Sequence, residues 1–173
     1  MQNTTEKVRR IKVDALYGKK KHFNAADRNQ SIHYRIGVPL IVINVITGSI
    51  LFYALTDGIA GWIKYFPLVL SFVSALLVGF QTYFNFQKKV EGHRRIGNRY
   101  LAIMKKCDRL LGYFADNAVS ESELIDRLEK IAHEIEEINK EAESLPTSDK
   151  DYKLAKAGIE AGEESYTENE LNL

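Results

Sequence analysis

Residues 36–55 read IGVPLIVINVITGSILFYAL and residues 65–86 read YFPLVLSFVSALLVGFQTYFNF, and neither stretch holds a charged side chain. A helix needs about 20 apolar residues to cross a hydrocarbon core of roughly 30 Å, so each run predicts a membrane span. The segment between them, TDGIAGWIK at 56–64, is too short to be a domain. The spans therefore form an antiparallel helical hairpin, with Gly58 and Gly61 supplying backbone freedom for the reversal. The first run begins after residue 35 and is too long for a signal-peptide core, so it is expected to stay in the membrane.

The flanks set the orientation. Residues 1–35 carry nine Lys or Arg against three acids, residues 88–109 carry eight against two, and the hairpin loop offers only Lys64. Basic residues in short flanks are retained on the cytoplasmic side, so both termini are expected in the cytoplasm and the chain is expected to be a multi-pass membrane protein. Tyr53, Trp62 and Tyr65 at one end, with Tyr34 and Tyr83 at the other, fit interfacial aromatic belts. The whole-chain charge of +1 hides this segregation, because residues 116–173 hold 17 acids and only six basic residues.

Inside the spans the polar and small residues are patterned. Asn44, Thr47 and Gly48 fall on or near one face of the first span, close to Gly37, and an Asn in hydrocarbon needs a partner. Pro39 is read as lying near the cytoplasmic start of the first span, where a missing N–H costs least. In the second span Ser71, Ala75 and Gly79 recur every four residues, and Ser74, Gln81 and Asn85 lie on the adjoining stripe. Small residues at that spacing let helices approach closely. The same residues are candidates either for helix packing or, in an oligomer, for lining a water-filled path. The mid-spans hold no Asp, Glu, Lys or Arg, which disfavours a proton relay or ion-coupled transport.

Outside the spans the periodicity is helical. Val8, Ile11 and Ala15 predict a short amphipathic helix with Thr4 or Thr5 as its cap and Gly18 as its stop; the chain then restarts as helix into the first span. After the second span Ile96, Tyr100, Ile103, Cys107, Leu110 and Phe114 alternate by four and three, an apolar seam. Asn117 and Ala118 break it, and Ser120 with Glu123 predicts a capping box. The next seam runs through Leu124, Leu128, Ile131, Ile135, Ile138, Ala142 and Leu145 and stops at Pro146. Two such helices pack as an αα-hairpin or self-associate as a coiled coil. Ser148 or Asp149 then caps a short helix holding Tyr152, Leu154, Ala155 and Ile159, and the acidic stretch beyond Gly162 is expected to be disordered.

The resulting organisation is all-α and membrane-bound. A basic amphipathic segment covers 1–35, a transmembrane hairpin 36–86, a helical hairpin or coiled coil 87–145, and a short helix with an acidic tail 146–173. Motifs for nucleotide loops, zinc proteases and redox dithiols are absent, so no enzyme, cofactor or metal centre is expected. His22, His33, His93 and His133 are read as solvated or facing headgroups rather than as ligands. Cys107 is read as a packing residue, with Lys105 and Lys106 as neighbours able to lower its pKa for redox sensing.

The basic stretch LYGKKKHFNAADRNQSIHYR before the first span, the H-R-x-x-G-x-x-Y pattern from His93 to Tyr100, and the N-K-x-x-x-x-x-P and S-D-x-D-Y stretches across Asn139 to Tyr152 resemble the SLATT domain. That is a family of bacterial two-transmembrane effectors found alongside nucleotide second-messenger synthases and SLOG-type sensors. The resemblance covers about residues 5 to 160. It implies an antiviral or conflict-system effector that assembles in the inner membrane and breaches it when a partner protein or nucleotide signal reports infection. Its partners would be the bilayer, further copies of itself and a synthase or sensor, with no direct nucleic acid. The competing expectation is a passive two-span anchor for a cytoplasmic partner.

Overall fold

The structure, a computed structural model, describes residues 2–57 and 61–172. Its helices are α1 (Gln2–Asp57), a 3-10 turn (Gly61–Tyr65), α2 (Phe66–Phe84), α3 (Phe86–Ala115), α4 (Glu121–Ala142), α5 (Asp149–Glu160) and α6 (Glu168–Leu171). No strand occurs among the described residues. Gly58 lies outside them; Gly61 takes φ +76° and opens the 3-10 turn.

Two sequence expectations change in α1. Gly18 does not end a helix, because α1 runs unbroken from Gln2 to Asp57. A Cβ at Gly18 would lie 2.9 Å from three ring atoms of Tyr100, so the glycine is there for close approach. Pro39 is likewise in the helix interior, where its ring deprives the Arg35 carbonyl of its i+4 amide donor. The break that does occur is at Asn85, in the left-handed region with φ 42°, between α2 and α3.

The chain divides into two compact units, residues 28–90 and residues 1–27 with 91–173. In the first, the most apolar windows of the two long helices have mean hydropathies of 2.0 and 1.6, yet only 6% and 11% of those windows are buried. Val38, Ile41, Val45, Phe52, Leu68 and Phe72 are exposed. Such surfaces are far larger than a soluble protein leaves in contact with water. Lipid is the solvent that suits them, and Trp62, Tyr65, Tyr53, Tyr34 and Tyr83 are exposed at the ends as interfacial residues should be.

In the second unit α1, α3 and α4 share one core. Both predicted seams point into it: Ile96, Ile103, Cys107 and Leu110 from α3 meet Leu124, Leu128, Ile131 and Ile138 from α4, and Val8 and Ala15 close it from α1. The seams thus bury against each other within one chain. Ser120 accepts from the Glu123 N–H, but the reciprocal half of the predicted box is replaced by a Glu123–Arg127 ion pair of 2.5 Å. The chain turns through Asn117 at φ 56°.

α5 starts on a full capping box between Ser148 and Asp151 and buries Ala155 and Gly158. Tyr152 stacks on Tyr17 with ring centres 5.9 Å apart. Where composition predicts a disordered acidic tail, the structure places Glu164 2.5 Å from Lys19 and pairs Glu163 with Lys20. Beyond these, Thr167 and Glu170 form a capping box for α6. The acidic residues find the cations of α1, which the local composition of the tail does not register.

Candidate functional site

The polar and small residues of the hairpin do not form one stripe. Thr47 and Ser74 are buried, and Gln81 is half-buried. The Thr47 hydroxyl donates to the Ile43 carbonyl at 2.8 Å, bonding back along its own helix. Gln81 Nε2 donates to the His33 carbonyl at 3.3 Å and lies 3.1 Å from where a Gly37 Cβ would be. Gln81 thus bridges α2 to α1. The Ser74 hydroxyl is buried without a hydrogen-bond partner among the described residues, so Ser74→Ala should leave stability unchanged or raise it by up to about 1 kcal/mol, measurable by thermal unfolding in detergent.

Asn44, Gly48, Ser71, Ala75 and Gly79 are exposed. A Cβ on Gly48 or Gly79 would meet nothing within 4 Å, so neither glycine is needed for packing inside the hairpin. Ala75, Gly79 and Tyr83 line an outward-facing groove of about 280 Å³. Asn44, near the middle of its span, makes no side-chain hydrogen bond among the described residues. Asn85 is exposed and serves the helix break, its Oδ1 accepting from the Lys88 N–H at 3.3 Å.

In the helical unit the structure brings together residues the sequence leaves scattered. His22 and His93, expected to be solvated, are buried with their Nδ1 atoms 3.0 Å apart. The Tyr100 ring lies 5.8 Å from His22, and its hydroxyl donates to Asn139 at 2.6 Å. Burial, then the neighbouring His93 and Lys21, push the His22 pKa down to about 4 against a smaller opposing pull from Asp151. The signal was present: His93 continues the α3 seam three residues before Ile96, and Gly18 and His22 continue the α1 seam after Ala15. No group of three or more His, Cys, Asp or Glu suited to a metal occurs among the described residues.

The redox reading of Cys107 is corrected. The thiol is fully buried, and burial followed by the charge of Asp108 raises its pKa to about 11, with only Lys12 opposing. Lys106 instead pairs with Glu134 at 2.5 Å. A protonated, enclosed sulfhydryl is a packing group. Nearby, Glu141 is drawn on by Arg95 at 2.7 Å and by Arg99. Partial burial works against its ionised form, but the two guanidinium groups hold its pKa below the usual range.

No curated protein and no solved structure matches the chain. A family match covers residues 5–170, nearly the full length, and it carries the two apolar helices, the exposed hairpin and the helical unit together. The chain belongs to SMODS and SLOG-associating 2TM effector domain family 4, a membrane effector family named for its association with nucleotide-signalling systems.

Proposed function

We propose that this chain is a non-catalytic effector that oligomerises in the bacterial inner membrane, with both termini in the cytoplasm, and permeabilises the membrane when a partner or nucleotide signal triggers it. The observation that carries the proposal is Asn44. Its amide sits mid-span on an exposed face with no partner among the described residues, and an unsatisfied polar group in hydrocarbon costs several kcal/mol. A second copy supplies the missing partner, and the groove at Ala75 and Gly79 gives another helix room to approach. Two helices cannot enclose a pore, so assembly must precede any breach.

Asn44→Leu and Gly79→Leu should each shift the detergent-solubilised protein towards monomer, the first by loss of about 1 kcal/mol per interhelical bond. Crosslinking in native membranes reads the change. In triggered cells the unaltered chain should collapse the membrane potential and both variants should preserve it. Full oligomers after Gly79→Leu would refute the packing face, and unchanged dye retention in triggered cells would refute the breach. Exchanging residues 36–86 for an unrelated hairpin separates effector from anchor, because only an anchor keeps working. Modification of either terminus by an impermeant external reagent would overturn the orientation.

A further inference from the structure

One groove of the helical unit has a chemistry unlike its surroundings. α4 carries eight carboxylates and three cations, Arg127, Lys130 and Lys140. Two of those three, Arg127 and Lys130, line a pocket of about 250 Å³ between α3 and α4, and the residues opposite include Lys106 and Arg109. An exposed helix face ordinarily sets cations against anions. Here four cations share the lining with a single acid, Glu134.

The four cations are not equivalent. Lys106 is held by both oxygens of Glu134 at 2.7 and 2.5 Å. Arg127 is held by Glu123 at 2.5 Å, and its guanidinium lies 5.8 Å from the centre of the Tyr113 ring. Arg109 and Lys130 have no carboxylate within ion-pair distance among the described residues, and both are exposed. The pocket floor is apolar, built from the core residues Leu110 and Ile131. Tyr113 stands at the side with 44% of its surface open.

Each part selects a different piece of a ligand. Two uncommitted cations on facing helices suit a phosphate, because Arg presents a planar fork and Lys a point charge. An open phenol ring beside a guanidinium suits a flat heterocycle, and base-on-aromatic stacking is worth about 1–3 kcal/mol. The volume is slightly below that of pockets for drug-sized ligands, roughly 300–1,000 Å³, so the ligand it takes is small. We propose that the α3–α4 groove binds a phosphate-bearing small molecule with a flat ring, a nucleoside phosphate, with Arg109 and Lys130 on the phosphate and Tyr113 against the ring. This site does not depend on the assembly proposed above, because binding is read without measuring permeability.

The test is calorimetric titration of the intact chain in phosphatidylcholine nanodiscs with adenosine monophosphate, adenosine and inorganic phosphate. The nucleotide should bind at least about tenfold more tightly than either fragment. Arg109→Glu and Lys130→Glu should each weaken it by about tenfold or more, and Tyr113→Leu should bring it close to inorganic phosphate. These exposed positions leave the core intact, and unaltered circular dichroism of the variants checks that.

Absence of nucleotide binding, equal binding of inorganic phosphate, or full affinity in Arg109→Glu would overturn the assignment. So would tighter binding of an acidic peptide, which needs the cations but not the ring. Loss of nucleotide binding when phosphatidylglycerol is added to the nanodisc would instead give the groove to a lipid headgroup, and would also overturn it.

Discussion

Lowering the pH from 6.5 towards 4 should cost the helical unit about 3 kcal/mol of stability through His22 alone. Two Nδ1 atoms 3.0 Å apart are held by one shared proton, donated by one ring to the lone pair of the other. Burial first, then the neighbouring His93, disfavours a positive charge on His22. Lys21 adds to the repulsion and the Asp151 carboxylate opposes it, while the Tyr100 hydroxyl is committed to Asn139. The folded pKa of His22 lies near 4, below its unfolded value of 6.5. Between those values the unfolded chain binds more protons than the folded one, so stability rises with pH there. It is fully present above 6.5 and is lost as the pH falls towards 4.

Urea unfolding of the detergent-solubilised chain, followed by circular dichroism across that window, measures the slope. His22→Gln removes the titrating ring and should flatten it. An equal slope in His22→Gln and the unaltered chain would show that the pair does not govern acid stability. The carboxylates are separable: Glu141, held down by Arg99 and Arg95, gives up its contribution only below the normal glutamate pKa of 4.5.

Gly18→Ala should destabilise the same unit by about 1–3 kcal/mol, the usual cost of overpacking a core. Helix propensity alone predicts the opposite, a gain of roughly 0.5–1 kcal/mol for replacing a mid-helix glycine. The clash decides the sign, since the new methyl would sit 2.9 Å from three atoms of the Tyr100 ring. That ring cannot swing away, because it is 6% exposed and its hydroxyl is anchored to Asn139. In a Tyr100→Leu background the added methyl should cost much less, and the difference in a double-mutant cycle is the contact itself. A stabilised Gly18→Ala protein would show that the two helices have slack at their crossing.

Gly18 also shows how far the sequence could be read. The seams of α3 and α4 were legible because each holds its spacing over several turns with apolar residues, and such spacing has one meaning for a helix. The spans were legible for a simpler reason, the absence of charge over a bilayer's width. The α1 seam faded after Ala15 because its next members are Gly18 and His22, residue types that ordinarily mark a helix end or a solvated face. Only the approach of Tyr100 and His93, far off in sequence, makes them interior residues. The hairpin residues were found by type, but their separation into inward Thr47, Ser74 and Gln81 and outward Asn44, Ser71 and Gly79 depends on how α1 and α2 rotate against each other. Periodicity places residues on a face; it does not say which face meets the neighbouring helix.

The helical unit is assembled from both ends of the chain, residues 1–27 with 91–173, around an intervening segment of about sixty residues. Val8, Ala15 and Gly18 therefore leave the ribosome before α3 and α4 exist to cover them. At roughly 5–20 residues per second, the leading arm waits several seconds, while both spans are being inserted, before α3 and α4 arrive. During that interval a holding chaperone has a bare apolar strip to grip. A nonsense codon anywhere before α4 would leave that strip permanently uncovered and mark the truncated product for degradation.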